Sequence, residues 1–272
     1  MAIFRHSASF DELAVALPAY IKQPLLRQLA ERIQTELLDT TKQSLHQQTD
    51  DIAHSALILD TLYQAPIADA SILVAITNEK QPKLLLTRRA AHMTSHAGEV
   101  SCAGGKYDIG DYNNVFTALR EAYEETALPP NKVQLLGQLP MQTSKSGMSV
   151  RPIVALIEPD LPLSPEPGEI ARIFWADFEA LITQPTVEYS IEYTMQRQTA
   201  TILTPSWQVD GEIVWGLTGR VIASLLETGF DRQLDWYYQI QEDSLENEHI
   251  KKYLEKDHHL KELGLQDSRY KP

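Results

Sequence analysis

Cysteine is almost missing. Cys102 is the only one in 272 residues, which excludes an internal disulfide and a cysteine-rich zinc site. Long apolar runs are missing too. No stretch approaches the length of a membrane span, and the opening MAIFRHSASFDELAV lacks the apolar run of a signal peptide. Positive charge is scarce: 24 Lys and Arg stand against 37 Asp and Glu, a formal net charge of −13. That balance argues against a general nucleic-acid binder, which needs cations to meet phosphates. A small phosphorylated ligand stays open, because a bound metal ion can supply positive charge locally. No internal repeat or low-complexity tract is evident. The expectation is a cytoplasmic protein with neither a membrane nor a nucleic-acid partner.

What is present suffices for a sizeable core, since 43 % of the residues are apolar. Residues 9–64 read as helical. Ser9 and Glu12 have capping-box spacing, and Pro24 can open a helix with Leu26, Leu29, Ile33 and Leu37 on one face. A third segment aligns Ile52, Ala56, Leu59 and Leu62. No chemistry is visible there, so residues 1–65 read as a helical extension for packing or oligomerisation, which leaves a homodimer open. From residue 66 the pattern changes. SILVAIT (71–77) and KLLLTRR (83–89) flank a polar turn and predict paired strands. Further strands are predicted at 133–140, 150–158 and 169–177, with helices at 116–128 and 214–228. TATILTP and WQVDGEIVWG predict a hairpin turned at Asp210-Gly211. The fold class is α+β, with one domain over 66–230. Residues 231–272 read as a charged, helical tail, where His258-His259 is a solvated pair.

The segment that carries chemistry is GGKYDIGDYNNVFTALREAYEETAL, residues 104–128. A helix stopped by Pro129-Pro130 puts Glu121, Glu124 and Glu125 on one side, because residues three and four apart share a face. Leu119, Ala122, Tyr123 and Thr126 are left to pack. Like charges at this spacing destabilise an isolated helix by a few tenths of a kcal/mol per pair. A cation between them would reverse that cost, and hard oxygen ligands suit magnesium or manganese. On the glutamates alone, a solvated acidic face is the better reading. The loop before them tips the balance: it offers backbone carbonyls, and Asp111 can pair with Arg120 to hold loop to helix.

This segment resembles the Nudix box of the Nudix hydrolases: glycine, five residues, an acid, seven residues, Arg-Glu, an aliphatic residue, any residue, Glu-Glu, any residue, glycine and an aliphatic residue. Gly105, Asp111, Arg120, Glu121, Ala122, Glu124, Glu125 and Leu128 match in order. Asp111 stands for the usual Glu, the gap to Arg120 is one residue longer, and Ala127 stands for the usual Gly. LLTRRAAHMTSHAGEVSCAGG (85–105) is similar to the signature of the coenzyme A pyrophosphatase branch through Leu85, Leu86, Thr87, Arg89, Ala90, Gly98, Gly104 and Gly105. Thr94 replaces its arginine, and Cys102-Ala103 replace its Phe-Pro, which predicts a looser loop.

The resemblance implies a Nudix-type α/β/α sandwich with a mixed sheet. It also implies a hydrolase that uses Mg2+ or Mn2+ to cleave a small nucleoside diphosphate. In the coenzyme A branch the products are 3′,5′-ADP and 4′-phosphopantetheine. It puts Glu121, Glu124, Glu125 and the Gly105 carbonyl at the metal. Glu121, Glu124, Arg120 and Glu169 form the catalytic group; the base is one of the box glutamates or Glu169, which also reads as an ordinary strand-edge carboxylate. Arg89, His96 and Lys106 are substrate candidates, each with a structural alternative: loop-holding for Arg89 and His96, a solvated chain for Lys106. Cys102 reads as packing under the loop. Two other readings remain: hydrolysis of another nucleoside diphosphate, such as ADP-ribose or a dinucleotide, and a non-catalytic nucleotide-binding module.

Overall fold

The computed structural model describes residues 13–40, 50–93, 96–195 and 198–241. The Ser9–Glu12 pair, Thr94 and His258-His259 lie outside them. In chain order the elements are β1 (Ala14–Val15), α1 (Pro24–Thr40), α2 (Asp51–Gln64), β2 (Ala70–Thr77), β3 (Lys83–Arg89), β4 (Val100–Ser101) and β5 (Gly104–Lys106). Then come α3 (Asn114–Thr126), β6 (Val133–Gln138), β7 (Gln142–Thr143), β8 (Ser149–Ile157), β9 (Ile170–Asp177) and α4 (Phe178–Thr183). The chain continues with β10 (Val187–Met195), β11 (Gln198–Val209), β12 (Glu212–Val214), α5 (Gly216–Phe230) and β13 (Gln239–Ile240).

Among the described residues β1 to β9 form one mixed sheet, ordered β1-β6-β8-β2-β3-β4, with β5 on β2, β7 on β8 and β9 on β3. β2 runs parallel to β8, and β1 runs parallel to β6; the other pairs are antiparallel. Alternate residues of β2 serve two cores, as the period of two requires. Val74 and Ile76 face α1, α4 and α5. Leu73 and Ala75 face α2 and α3. The result is the expected α/β/α sandwich of the α+β class. Each fully buried Leu or Ile contributes about 1.5–3 kcal/mol to holding the layers together.

The helical N-terminal residues are not an appendage. Leu26, Leu29 and Ile33 of α1 are fully buried with Val221 and Leu225 of α5, so residues on either side of position 65 share one core. The apolar face of α1 is thus consumed inside this chain. Two readings of this region need correction. Residues 14–15 are a strand beside β6 and not helix. In α2 the buried residues are Ile58, Thr61 and Leu62, while Ile52 is exposed, because the helix presents a different stripe from the one its spacing suggested.

The expected hairpin is part of a second, four-stranded sheet. The turn is where the sequence puts it, with Asp210 at φ 51° and Gly211 at φ 79°, the conformation of a two-residue hairpin turn. But TATILTP and WQV belong to one strand, β11, which pairs with β10 over 198–206 and with β12 over 207–209. β10 is not among the elements predicted above. The described start of the tail, 231–238, is not helical and leads to β13 on β11, with Trp236 stacked on Trp207. The rest of the expected helical tail falls outside the described residues.

Candidate active site

α3 starts at Asn114 because the side chain of Asn113 accepts hydrogen bonds from the backbone of Val115 and Phe116. It ends at Ala127, which caps it in the left-handed conformation, φ 57°. That position explains the usual glycine of the box: a side chain there costs about 1–2 kcal/mol. Leu119, Ala122 and Thr126 pack inward as expected. The three glutamates do not share one environment. Glu124 is exposed, Glu121 is half-buried, and Glu125 is only 2 % exposed.

Arg120 organises the outer part. It grips both oxygens of Asp111 at 2.9 and 3.0 Å and reaches Glu121 Oε1 at 2.8 Å and Glu124 Oε2 at 2.9 Å. It also donates to the carbonyl of Lys106 at 3.1 Å. The loop is therefore tied to the helix as the sequence suggests. Burial alone would raise the Asp111 pKa, but hydrogen bonds from Arg120, Asp108 and Thr117 outweigh it and bring it below the usual value. Hydrogen bonding to Asp111 first, and then the charge of Glu121, hold Arg120 protonated.

Glu125 forms the inner part. Its Oε2 accepts from the Gly104 backbone at 3.1 Å, and Arg89 Nη1 lies 3.4 Å from Oε1. Burial pushes its pKa up to about 8; Gly104 and Arg89 oppose this, while the charges of Glu121 and Glu169 add to it. Glu121 is raised as well, by burial first, with Glu124 and Glu169 adding to it. Glu169 is itself exposed, near enough for its charge to act on both. The loop before it is pinned to the end of α3: Ser164 donates to the Thr126 carbonyl at 2.9 Å and Glu166 to that of Glu125 at 3.0 Å. These helix-end carbonyls need outside partners, and the proline-rich loop supplies them.

Gly105 has no room for a side chain. A Cβ there would lie 2.5 Å from the Glu121 carboxylate, and one on Gly104 would lie 2.4 Å from the Ser71 carbonyl. Across the same strand, on the face away from α3, opens a cavity of about 770 Å³. Gly104, Gly105 and Arg89 line it, and the same three residues lie against Glu125 and Glu121. His96 and Lys106 line it too. His96 Nδ1 is 2.8 Å from Glu99, a bond that raises its pKa. Arg88 points elsewhere, toward Glu212 at 3.5 Å. Cys102 and Ala103 are both buried, one in each core, which anchors the segment predicted to be loose. Burial pushes the Cys102 thiol up to about 12, so it is no nucleophile at neutral pH. The cavity also takes in Lys145, Trp215, Leu217 and Tyr238, which the sequence did not single out.

A family model described as "NUDIX domain" matches residues 68–198. The chain is 38 % identical over 158 residues to an "Uncharacterized Nudix hydrolase NudL" of Photorhabdus laumondii, covering 58 % of this chain and 83 % of that protein. The chain belongs to the Nudix hydrolase family. A second relative of the same description, from Pectobacterium atrosepticum, is 41 % identical over 157 residues, covering 57 % of this chain and 80 % of its own. Among solved structures, a C. elegans Ap4A hydrolase binary complex matches 42 % of this chain and 83 % of its own at 19 % identity and TM-score 0.36, and carries no weight here. As a Nudix hydrolase the protein is a pyrophosphohydrolase; enzymes of the family bind nucleoside diphosphate-type substrates and typically use a divalent metal.

The donors suit such an ion. Glu121, Glu124, Glu125 and the neighbouring Gly105 carbonyl are hard oxygens, and a buried carboxylate pushed to about 8 marks a place where negative charge lacks compensation. Among the described residues no three acids, histidines or cysteines already stand in a metal-binding arrangement; Glu121 and Glu124 both accept from Arg120. No helix among those residues is long and apolar enough to cross a membrane.

Proposed function

We propose that the protein hydrolyses the diphosphate of coenzyme A or its derivatives to 3′,5′-ADP and 4′-phosphopantetheine. The observation that carries this reading is the pair of acids Glu121 and Glu125, which lie against Gly105, Gly104 and Arg89, residues that line a cavity of nucleotide size. The residues shared with the coenzyme A branch, Arg89, Gly104 and Gly105, are those that join the two.

Glu121, Glu124 and Glu125 would hold Mg2+ or Mn2+, which when bound neutralises diphosphate oxygens and aids deprotonation of water. A water oxygen then attacks one phosphorus, the P–O bond of the bridge breaks, and the bridging oxygen leaves with the other half. Glu169 or one of the box glutamates takes the water proton, a task worth 10²–10⁴-fold. Arg89 has an Nε that is buried without a partner, and it lines the cavity, so its guanidinium is placed to meet a substrate oxygen as well as Glu125. Arg120 acts indirectly, by orienting Glu121 and Glu124 and fixing the loop that ends at Asp111. His96 and Lys106 bring further positive charge or donors to the cavity.

The test is a panel of coenzyme A, ADP-ribose and a dinucleotide with Mg2+, read by product mass. Release of 3′,5′-ADP from coenzyme A, faster than cleavage of the other two, is expected. Faster cleavage of ADP-ribose or the dinucleotide would replace the coenzyme A reading with another Nudix substrate. Binding of all three without cleavage would leave a nucleotide-binding module.

A further inference from the structure

We propose that the far wall of the cavity receives an apolar arm of the substrate, and that Ile191, Trp215 and Leu217 set the preference for it. This rests on the reading of the site as a diphosphate hydrolase. The cavity is built from chain segments of different character. Residues 89–106 and 144–145 bring its basic side chains Arg89, Lys106 and Lys145, the chemistry that meets phosphate. The segments from β10 to β13 bring Ile191, Ile202, Trp215, Leu217 and Tyr238, with the exposed Glu192 as the wall's one carboxylate. The hydroxyl of Thr218, on the same wall, is spent on the Val100 carbonyl at 2.9 Å.

Ile191, Trp215 and Leu217 are half-buried. Their remaining apolar surface borders a cavity continuous with Arg89, Gly104 and Gly105. A purely polar substrate would leave that surface wet. An apolar arm would bury it, and burial of apolar area is the main source of affinity in such pockets. The wall is also well supported: Trp215 packs on Tyr189 at 5.9 Å between ring centroids, and Leu217 packs against the core that α1 and α5 share. Most of it, from Ile202 to Tyr238, lies beyond the 68–198 segment that the family model matches. The acid helix lies inside that segment, as does Ile191 of the wall. A thioester of coenzyme A with a medium-length acyl chain has the required form, with a diphosphate at one end and an apolar arm at the other.

The experiment compares kcat/KM for octanoyl-coenzyme A and free coenzyme A, using the full chain with Mg2+. We expect a ratio above about ten for the unaltered protein. The ratio should fall about tenfold in Leu217→Gln and, on a separate element, in Ile191→Gln, and it should be kept in Leu217→Met. Thermal melting of each variant confirms that it folds, and the two independent positions guard against one failing to do so. A ratio near one, with free coenzyme A still cleaved, overturns the apolar-arm proposal and leaves the diphosphate reading standing. A high ratio that neither glutamine variant moves overturns the assignment of the wall. Cleavage of neither compound overturns the diphosphate reading and this proposal with it.

Discussion

The two faces of the large sheet are built in different ways. On the α3 face the charged groups come mostly from one short stretch, Gly104 to Glu125, tied by Arg120 to Asp111 and by Gly104 to Glu125. On the opposite face the cavity draws on segments from Ala70 to Tyr238. The acid face is local and polar, and its geometry follows from a helix and its loop. The cavity face is non-local and depends on how a second sheet and α5 pack. Under the proposed function bond cleavage would need the first face and selection the second, a division that would let the fold keep one reaction while its substrate range changes with the wall.

The largest expected effect breaks the acid face alone. Glu125→Gln should lower kcat by 10²-fold or more at saturating Mg2+, with KM changed less than about threefold. Retention of more than about a tenth of the rate would remove Glu125 from the chemistry.

The same substitution sharpens the contrast when no metal is present. The folded pKa of Glu125, about 8, lies above its ordinary 4.5. Between those values the native chain keeps a proton that the unfolded chain gives up, so stability is full below pH 4.5 and falls as pH rises through about 8. Glutamine has no such proton. Metal-free Glu125→Gln should therefore melt roughly 5 °C above the wild type at pH 8.5 and lose that advantage near pH 4.5. A constant difference across this range would mean that burial of the charge is not the cause.

Asp111→Ala tests the tie between loop and helix. It removes two bonds to a charged partner and should cost about 2–3 kcal/mol, seen in a urea melt, with a smaller loss of kcat than Glu125→Gln. Equal losses of kcat would make the loop as important as the acids themselves. The smallest effect belongs to the helix end. Ala127→Gly should stabilise by about 1 kcal/mol by relieving the left-handed cap, and should leave kcat unchanged.

The same contrast decides what the sequence made legible. REAYEE is contiguous, and helical spacing alone gathers its acids; the strands 71–77 and 83–89 are apolar runs whose boundaries survive almost unchanged. Spacing could not say which glutamate turns inward, because that depends on where β5 lies against α3. Glu169 was legible only through resemblance. Its placement comes from Ser164 and Glu166 meeting carbonyls nearly forty residues earlier in the chain. β10 does carry a local signal, the alternation of Val187, Tyr189, Ile191 and Tyr193. The cavity wall carries none, because Trp215, Leu217 and Tyr238 look like ordinary core residues until the second sheet is placed.

Calorimetric titration of Mn2+ into the full chain at pH 7, in two buffers of different ionisation enthalpy, addresses the acid face most directly. A carboxyl with a pKa of about 8 is largely protonated at that pH, and a metal ligand must be deprotonated. Binding should therefore release close to one proton per ion, and Glu125→Gln should bind at least about tenfold more weakly and release almost none. Equal affinity in the two proteins, with no proton released by either, would contradict a cation held by Glu125.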